Sequence, residues 1–482
     1  MADAILFRPR FLDYTITPLP IPWGLLYIGS SLMNSGYSVR IIDGLSHPDW
    51  RELFLEELKH GPMFVGVTSM SGKQIKYGLE FSAFVKEHSR LPVVWGGIHP
   101  SLFPEQTLKN RDVDFIAQGE SEETILEFMN HLEGKQAISG VRGMGFKDKD
   151  AIHINKNRPP ADLDHLPRLD YSLIDIERYM GRRFGSRRSF ELCTSRGCPH
   201  NCGFCYNMTQ YGGIWRSMSI DHIFDNLHEL IDNHKIDGLT WREDNFFVIR
   251  ERVKEIAQRM IREKINIKWH ADCRIDYVDG YDDSFLDLLK RSGCHTLTLG
   301  VESGSDSILE QINKGITRDQ VLRVRDKLSR HGIYQNYHFM FGFPDESEED
   351  VEKTVDLIHE LMRKNPHFGA ICGPSLYTPY PGTMLFEKSL QKGFHPPETL
   401  EGWIDMDWHS LRLPWITGKR NKVIEDTAWN IMGMSQKNTR TYFKLKFYLL
   451  AKFNLHIPCF EKNIHPWLKK VQDSMAGITR SR

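Results

Sequence analysis

Short apolar runs alternate with amphipathic segments through the first 135 residues of the chain. Each apolar run ends near Gly, Ser, Asp or Pro, and helical patterns such as 23–36 and 78–90 lie between the runs. Apolar strands separated by helices predict a parallel, doubly wound sheet, with a ligand crevice at the carboxyl ends of its strands. The predicted strands are 4–10, 38–44, 63–70, 92–99 and 113–120.

The same alternation returns from Phe190 onward. Six strand–helix units in a row are typical of a partial or complete βα barrel, whose chemistry lies on the loops after the strands. The predicted strands of this second unit are 189–195, 238–244, 265–273, 295–303, 334–344 and 369–381.

Between the two units the apolar rhythm is lost, and the Pro- and Asp-rich stretch 157–170 predicts an extended linker. The chain is therefore expected to be an α/β protein in four parts. These are a Rossmann-like domain at 1–140, a linker at 141–188, a partial (β/α)6 barrel at 189–400 and a mostly helical region at 401–482.

Composition narrows the functional classes. The 482 residues are 40% apolar and 26% charged, as in soluble proteins with large cores. A formal net charge of −1 gives no global field that would favour nucleic acid as a partner. The first residues lack a secretory apolar region, and no apolar run is long enough to span a membrane. We therefore expect a cytoplasmic protein, in which clustered cysteines favour metal binding or catalysis over disulfides.

Three of the eight cysteines, Cys198, Cys202 and Cys205, follow the first predicted barrel strand within eight residues. A structural zinc site would need a fourth ligand. Cys193 could supply it, but a strand would hold that side chain in the sheet. Three thiolates on a glycine-containing loop suit a [4Fe–4S] cluster that has one iron without a protein ligand. The remaining cysteines are expected to be packed thiols: Cys273, Cys294, Cys372 and Cys459.

The spacing Cys-x3-Cys-x2-Cys, with Phe204 before the last cysteine, resembles that of the radical S-adenosylmethionine (SAM) superfamily. The resemblance implies that the open iron binds the amino and carboxylate groups of SAM. It also implies that an electron from the cluster cleaves SAM to a radical that abstracts hydrogen. A reductase, a flavodoxin or a ferredoxin would supply that electron.

Three later strand ends match SAM-binding motifs of that superfamily. TWREDNF (240–246) matches the acidic motif near the SAM amino group, GVESGS (300–305) the pattern near the ribose or carboxylate, and FMFGFPDE (339–346) the strand end near the adenine. The implied SAM contacts are Phe204, Glu243, Asp244, Glu302, Ser303, Gly342 and Pro344. Arg274 could bind a carboxylate at the barrel mouth, or pair with Asp272 or Asp276.

The first unit resembles the cobalamin-binding domain of cobalamin-dependent radical SAM enzymes in its segments 18–32, 68–72 and 95–100. Glycines there would let the backbone approach a bulky corrinoid or its nucleotide tail, and serines could hydrogen-bond that tail. An ordinary open α/β sheet whose glycines only turn the chain is the alternative. The implied cobalamin contacts are Ser69, Ser71, Gly96, Gly97, Gly119 and Glu120.

The loop after the first strand, 11–24, contains no histidine that could ligate cobalt. Asp43 and His47 follow the second strand with the wrong spacing for the Asp-x-His-x-x-Gly motif of many cobalamin proteins. The resemblance therefore implies cobalamin bound base-off and without a histidine ligand.

The last segment, 436–482, carries ten Lys and Arg residues against two acidic ones. Within it, 441–457 mixes aromatic residues, leucines and lysines. This pattern suits a helix that covers the barrel with its lysines outward. It also suits an interfacial helix in weak contact with the inner face of the membrane.

The family resemblance implies an enzyme that methylates an unactivated carbon of a small-molecule or lipid-like substrate. The same architecture supports cyclisation or oxidative rearrangement. A radical SAM enzyme without cobalamin, such as a methylthiotransferase, commonly has further cluster cysteines in its N-terminal domain, and 1–190 contains none. A carrier of electrons or corrinoid without turnover would not need the SAM motifs.

Overall fold

The computed structural model describes residues 2–12, 16–149, 151–406 and 412–416. Two large sheets dominate these residues, a mostly parallel one in the first half of the chain and an all-parallel one in the second half. The predicted α/β class, with a doubly wound sheet followed by a partial barrel, is confirmed.

The first sheet has seven strands in the order β2-β1-β3-β4-β5-β6-β7. The first five strands are parallel, and each of the last two runs antiparallel to its neighbour. The strands are β1 (Ala4–Arg8), β2 (Val39–Asp43), β3 (Phe64–Thr68), β4 (Val93–Gly96), β5 (Phe115–Ala117), β6 (Met144–Asp148) and β7 (Ala151–Ile154). The helices are α1 (Trp23–Asn34), α2 (Trp50–Leu58), α3 (Lys73–His88), α4 (Ile98–Leu102), α5 (Pro104–Lys109) and α6 (Glu122–Leu132).

The second half contributes strands β8 (Ser189–Leu192), β9 (Ser195–Arg196), β10 (Arg216–Ser217), β11 (Gly238–Trp241), β12 (Lys268–Arg274), β13 (Cys294–Glu302), β14 (Tyr334–Phe341) and β15 (Phe368–Leu376). Six of them form an all-parallel sheet in the order β8-β11-β12-β13-β14-β15, while β9 pairs with β10. The order of the six strands follows the chain, as in a partial barrel.

Nine helices of the second half are described: α7 (Asn207–Tyr211), α8 (Ile220–His234), α9 (Arg250–Arg262), α10 (Ile275–Gly280), α11 (Asp283–Arg291), α12 (Asp306–Gln311), α13 (Arg318–Arg330), α14 (Glu348–Met362) and α15 (Met384–Gln391). Side chains cap several of their first turns. Thr317 begins α13 and Ser347 begins α14, each through a reciprocal capping box with the residue three positions later. The predicted helical segments 219–234 and 349–364 thus coincide closely with α8 and α14.

Part of the segment predicted as a linker, 141–188, folds differently. β6 and β7 extend the first sheet as an antiparallel hairpin. β7 lies at the sheet edge with mostly exposed side chains, so it lacks the apolar run that marks the other strands. The rest of the segment is anchored, because Leu163, Leu166 and Leu169 are buried in the core of the second half.

The described C-terminal residues return to both sheets. Leu400 and Trp403 are buried in a core cluster of the first sheet, and the backbone N–H of Gly72 donates to the Trp403 carbonyl. Leu413 and Ile416 are buried in the core of the second half. The basic segment 436–482 lies outside the described residues, so its predicted helix stays a prediction.

Candidate active site between the two sheets

The carboxyl ends of the two parallel sheets open into one cavity of about 640 Å³. Parallel strands place the loops that follow them at one edge, where α/β proteins bind ligands. From the first half, the lining includes Thr68, Ser69, Met70, Gly96, Gly97, Ala117, Gly119 and Glu120. From the second half, it includes Cys193, Ser195, Arg196, Tyr206, Gln210, Tyr211, Arg242, Glu243, Asp244 and Asp272. Both halves of the chain therefore build a single site.

An apolar slot extends this cavity into the first half. Its walls come from strands β1, β3 and β4 on one side and from helices α1 and α6 on the other. The lining there includes Leu6, Gly66, Val94, Leu25, Ile28 and Ile125. A slot of this kind suits a flat, largely apolar group at the end of a larger ligand. The dimethylbenzimidazole base at the end of the nucleotide tail of a base-off cobalamin would be such a group.

The cysteine loop leaves β8 through a turn that requires glycine. Gly197 has a φ of +87°, and a Cβ atom there would collide with the Ile214 carbonyl oxygen. The loop is then fastened to the barrel at Gly203, whose N–H donates to the Ile312 carbonyl at 2.7 Å and whose carbonyl accepts from Leu385 at 2.9 Å. Main-chain bonds on both sides fix the positions of the three cysteines.

The three thiols lie beside hydrogen-bond donors. The Asn245 amide is 3.5 Å from the sulfur of Cys198, and the Arg274 guanidinium is 3.4 Å from the sulfur of Cys202. Burial raises the pKa of Cys205 to about 11, so a metal would have to displace its proton. Donors beside sulfur stabilise thiolates and tune iron–sulfur clusters. This donor set fits an iron–sulfur cluster.

In the described ranges, no three His, Cys, Asp or Glu side chains converge around a point that could hold a single metal ion. A cubane cluster makes a different demand, because each of its thiolates binds a different iron atom.

Cys193 lies one residue after β8 and lines the cavity. Its thiol donates to the Ser195 carbonyl at 3.4 Å, and burial raises its pKa to about 12. Cys273 and Cys294 are buried and Cys372 is half-buried, whereas Cys459 lies outside the described residues. The Cys193 thiol therefore has its own hydrogen bond at the strand end that leads into the cysteine loop.

The two acidic residues after β11, Glu243 and Asp244, have different surroundings. Glu243 is buried, accepts hydrogen bonds from the hydroxyls of Thr194 and Ser195, and lies 3.5 Å from Arg252. Asp244 accepts a 2.9 Å hydrogen bond from the Gly197 N–H and otherwise faces the cavity. Glu243 thus fixes the start of the cysteine loop, and Asp244 presents a carboxylate to a ligand.

At the end of β13, Glu302 has a φ of +73° and a 2.7 Å ion pair with Lys314. A positive φ at a non-glycine residue stores backbone strain, which is frequent at functional sites. Ser303 is fully buried, with its hydroxyl 3.1 Å from that of Thr354. In this structure both side chains are bonded to neighbouring protein groups.

The end of β14 packs against the cysteine loop, with the rings of Phe204 and Phe343 centred 6.1 Å apart. Gly342 has a φ of +84°, and a Cβ there would lie 2.7 Å from Leu376. The Pro344 carbonyl accepts a hydrogen bond from the Gln311 amide. Phe204, Gly342 and Pro344 thus lie together where the end of β14 meets the cysteine loop. Gly342 is needed there for its backbone conformation.

The two serines after β3 are already bonded. The buried Ser69 donates to the Met70 carbonyl at 3.0 Å, and the Ser71 hydroxyl lies 2.9 Å from Nδ1 of His99. Burial lowers the pKa of His99 to about 3, which keeps this imidazole neutral. Neither serine hydroxyl is fully free to serve a nucleotide tail.

The glycines after β4 differ in their surroundings. At Gly96 a Cβ would meet only the Ala117 carbonyl, at an ordinary 3.6 Å. At Gly97, where φ is +96°, a Cβ would lie 2.8 Å from the Ser69 carbonyl. Gly97 is therefore required by the close approach of two loops, whereas Gly96 opens space in the cavity. Gly119, with a φ of +65°, also needs glycine for its backbone.

Glu120 joins the two halves of the protein. Its carboxylate pairs with Arg216 at 2.7 Å and Arg196 at 3.4 Å, and accepts from the Ala161 N–H. Burial opposes ionisation, but the Arg216 hydrogen bond and nearby Arg196 outweigh it and lower the pKa of Glu120. Its carboxylate is thus used to hold the two halves together.

Replacing Arg216 by Ala is expected to lower the free energy of unfolding by about 3 kcal/mol, because Glu120 would keep a partly uncompensated buried charge. The lowered pKa means that this loss is full above the unfolded pKa of about 4.3 and fades as pH falls through the folded pKa. Denaturant unfolding at pH 7 and in acid checks both statements. Arg168→Ala removes an exposed pair with Asp225 and should cost below about 1 kcal/mol. Equal losses would contradict this role for Arg216.

Arg274 shows the second of its two predicted arrangements. Its guanidinium pairs with Asp276 at 2.9 Å and donates to the Lys314 carbonyl at 2.6 Å. The same group reaches the sulfur of Cys202, which the sequence did not indicate. His47 accepts from the Asp43 N–H at 3.2 Å, and the described cavity lining contains no histidine.

Sequence motifs missed several cavity residues. Arg196 stacks over the Tyr27 ring at 4.4 Å and pairs with Glu122 at 2.7 Å. Arg242 and Asp272 project from neighbouring barrel strands into the same cavity. Alternation along the strands was the available signal, because every second residue of a barrel strand faces its interior.

Comparisons with known proteins agree with this arrangement. A profile of the radical SAM superfamily matches residues 192–358, and a B12-binding domain profile matches residues 11–129. An uncharacterised methyltransferase of Pyrococcus horikoshii is 30% identical over 377 residues, which are 77% of this chain and 78% of the relative. The anaerobic magnesium-protoporphyrin IX monomethyl ester cyclase of Synechocystis is 26% identical over 353 residues, which are 72% of this chain and 68% of the relative.

Among solved structures, the radical SAM methyltransferase TsrM from Kitasatospora setae, with cobalamin and a [4Fe–4S] cluster bound, has a similar fold. The TM-score is 0.67 at 19% identity, over 82% of this chain and 79% of that one. The two matched domains meet at the cavity described above. The chain therefore belongs to the radical SAM superfamily, in the branch that also carries a cobalamin-binding domain and uses a [4Fe–4S] cluster, SAM and cobalamin.

Proposed function

We propose that this protein is an enzyme that methylates an unactivated carbon of a small-molecule or lipid-like substrate, using cobalamin and radical SAM chemistry. The cavity of about 640 Å³, lined by both the B12-binding and the radical SAM halves, supports the proposal most strongly. A substrate there would lie between two cofactors. The methyltransferase from Pyrococcus, similar over most of both chains, favours methyl transfer over other radical outcomes.

When bound, the cofactors would supply an electron source, a carbon-centred oxidant and a methyl group. The chain supplies their positions. Cys198, Cys202 and Cys205 would hold the cluster, with Asn245 and Arg274 donating to the sulfurs. Tight placement matters, because orienting reactants can account for several kcal/mol of a barrier.

The proposed SAM contacts lie along the carboxyl ends of β11, β13 and β14. Asp244, which faces the cavity, suits the SAM ammonium group. Glu302 would contact the ribose or carboxylate end, and its pairing with Lys314 sets the local charge. Ser303, Gly342 and Pro344 would shape the pocket through the backbone. Glu243 would act by fixing the loop that carries Cys198.

Cobalamin would lie over Gly96, with its tail in the apolar slot of the first half. We propose the base-off form without a histidine ligand, since none of the described lining residues is a histidine. Visible spectra of the full chain loaded with hydroxocobalamin test this form. A histidine-ligated spectrum that disappears in His47→Ala would contradict it.

Two partners, an electron donor and an anionic membrane surface, stay predictions. Turnover would need an electron donor such as a reductase, a flavodoxin or a ferredoxin. None of the helices in the described ranges is long and apolar enough to cross a bilayer. Contact of 441–470 with an anionic membrane, in an otherwise cytoplasmic protein, concerns residues that the structure does not describe.

Methylation should consume two SAM molecules for each product. One supplies the methyl group and the other removes the hydrogen, so 5′-deoxyadenosine and S-adenosylhomocysteine should form in about equal amounts. The cofactor-loaded enzyme would be incubated anaerobically with reductant, methyl-labelled SAM and a small-molecule extract of the cells in which the protein naturally occurs. Mass spectrometry should then find the label on a carbon of a new product.

A cyclase would give a different set of products. The similarity to the Synechocystis cyclase makes ring formation the second candidate. The test would then give substrate-dependent 5′-deoxyadenosine, no S-adenosylhomocysteine and an unlabelled product. That result would mean that the enzyme catalyses cyclisation or rearrangement and not methylation.

A further inference from the structure

One layer of the barrel interior carries unexpected charge. Strand pairing aligns Trp241 with Ala271, so Arg242 and Asp272, the next residue on each strand, stand side by side. The alignment continues from Asp272 to Thr298 on β13 and to Asn336 on β14. Arg242 and Asp272 both line the cavity. The layer therefore places an exposed guanidinium and a carboxyl group side by side in the cavity.

The other charged residues of the cavity are bonded within the protein. Glu120 and Glu122 pair with arginines, Glu243 accepts from two hydroxyls, and Asp244 accepts from a backbone N–H. Within the described part of the chain, Arg242 has no side-chain hydrogen bond or ion pair. Arg242 also makes no ion pair with Asp272, although the two strands are adjacent.

The nearest basic side chain to Asp272 does not neutralise it. His270 lies 3.7 Å from the carboxylate, but burial lowers its pKa to about 3, so the imidazole is uncharged. Its Nε2 is already 2.6 Å from the Thr298 hydroxyl. Burial raises the pKa of Asp272, and nearby Arg242 and His338 oppose this shift, whereas Glu191 adds to it. The Asp272 side chain keeps 37% of its surface accessible because it opens into the cavity.

Unpaired charges are costly once a cavity closes. Burying a charge without a partner is unfavourable, and cofactors above this layer would exclude water. A wholly apolar substrate would leave the Arg242 guanidinium without a hydrogen-bond partner, and the Asp272 carboxyl with only His270 within 4 Å among the basic side chains described. A ligand with an oxyanion and a nearby hydrogen-bond donor would satisfy both, since guanidinium binds paired oxygens in a bidentate way.

We propose that Arg242 and Asp272 bind the polar group of the substrate. Arg242 holds a carboxylate or phosphoryl group, and Asp272 accepts a hydrogen bond from a neighbouring hydroxyl or ammonium group. The substrate is then a hydroxylated or aminated anion, even if its reacting end is apolar. This inference rests on the proposed function in one respect: it takes the bound ligand to be the molecule that is methylated.

Binding without turnover tests the inference. Calorimetric titration of the anaerobic, cofactor-loaded holoenzyme would use glycerol 3-phosphate and glycerate as anions, and glycerol as the neutral compound. At least one anion should bind saturably and more tightly than glycerol, which also distinguishes phosphoryl from carboxylate recognition. Arg242→Gln should weaken that binding at least tenfold. Asp272→Asn should weaken it for the hydroxylated anion more than for n-propyl phosphate or propionate, which lack the hydroxyl groups.

The chain offers matched controls. Arg262→Gln and Asp232→Asn remove the same charges from exposed helix positions and should leave binding unchanged. Hydroxocobalamin and SAM should bind Arg242→Gln with unchanged affinity in spectral titrations. If no anion binds better than glycerol, or Arg242→Gln matches Arg262→Gln, the inference is wrong.

Two further results would also overturn it. A raised Kd for cobalamin or SAM in Arg242→Gln would assign this arginine to a cofactor. A large drop in melting temperature for each single variant, absent in the controls, would make the two residues a structural pair. Failure of methyl transfer with anion binding intact would instead count against the proposed function.

Discussion

Alanine at Cys198, Cys202 or Cys205 is expected to abolish reductive cleavage of SAM. Each thiolate would hold a separate iron of one [4Fe–4S] cluster, so loss of one ligand would leave only two irons attached to the protein. The loop cannot easily provide a substitute, because Gly197 and Gly203 fix its course against Ile214, Ile312 and Leu385. Iron and sulfide content, the EPR spectrum of the reduced protein and the yield of 5′-deoxyadenosine measure the effect.

Cys193→Ala provides the matched control for those variants. Its thiol lies on the same stretch of chain but is bonded to the Ser195 carbonyl, so the variant should keep its cluster. Loss of the cluster in Cys193→Ala would make this residue a fourth ligand. Stoichiometric zinc in the purified protein would contradict the cluster assignment altogether.

Much of the fold could be predicted from sequence because burial on both faces leaves a clear mark. The parallel strands β3, β4 and β13 read as apolar runs, and each begins and ends within a few residues of its predicted position. The β6–β7 hairpin was missed because β7 is an exposed edge strand with no such run. Its pairing depends on a neighbour, β5, that local patterning does not identify.

The candidate site divides along a similar line. Chemical motifs pointed to the cysteine loop and to Asp244, which lines the cavity, since their residue types and spacing are themselves the signal. Glu120 was predicted to contact cobalamin, yet tertiary pairing with Arg216 uses its carboxylate between the two halves. Strand alternation could place Arg242 and Asp272 on the interior face, but their position side by side follows from the strand register. Long-range partners decide such roles, and one sequence does not reveal them.

Leucine at Gly96 is expected to weaken cobalamin binding by at least a hundredfold while leaving the protein folded. A Cβ at this position meets only the Ala117 carbonyl, at 3.6 Å, so the backbone tolerates a side chain. The added isobutyl group would then fill the part of the cavity proposed for the corrin ring. Titration of the full chain with hydroxocobalamin measures the affinity, and thermal unfolding without cobalamin measures the fold.

Gly97→Ala separates steric exclusion of the ligand from damage to the protein. Its φ of +96° and the Ser69 carbonyl 2.8 Å from a Cβ mean that even one methyl group strains the loop, by about 1–3 kcal/mol. This variant should lose melting temperature before any ligand is added, whereas Gly96→Leu should not. Gly140→Leu, at an exposed site with nothing within 4 Å of its Cβ, should change neither property. If Gly96→Leu and Gly140→Leu bind cobalamin with equal affinity, the corrin ring lies elsewhere. A corrin ring over the end of β4 could not avoid a leucine side chain at position 96.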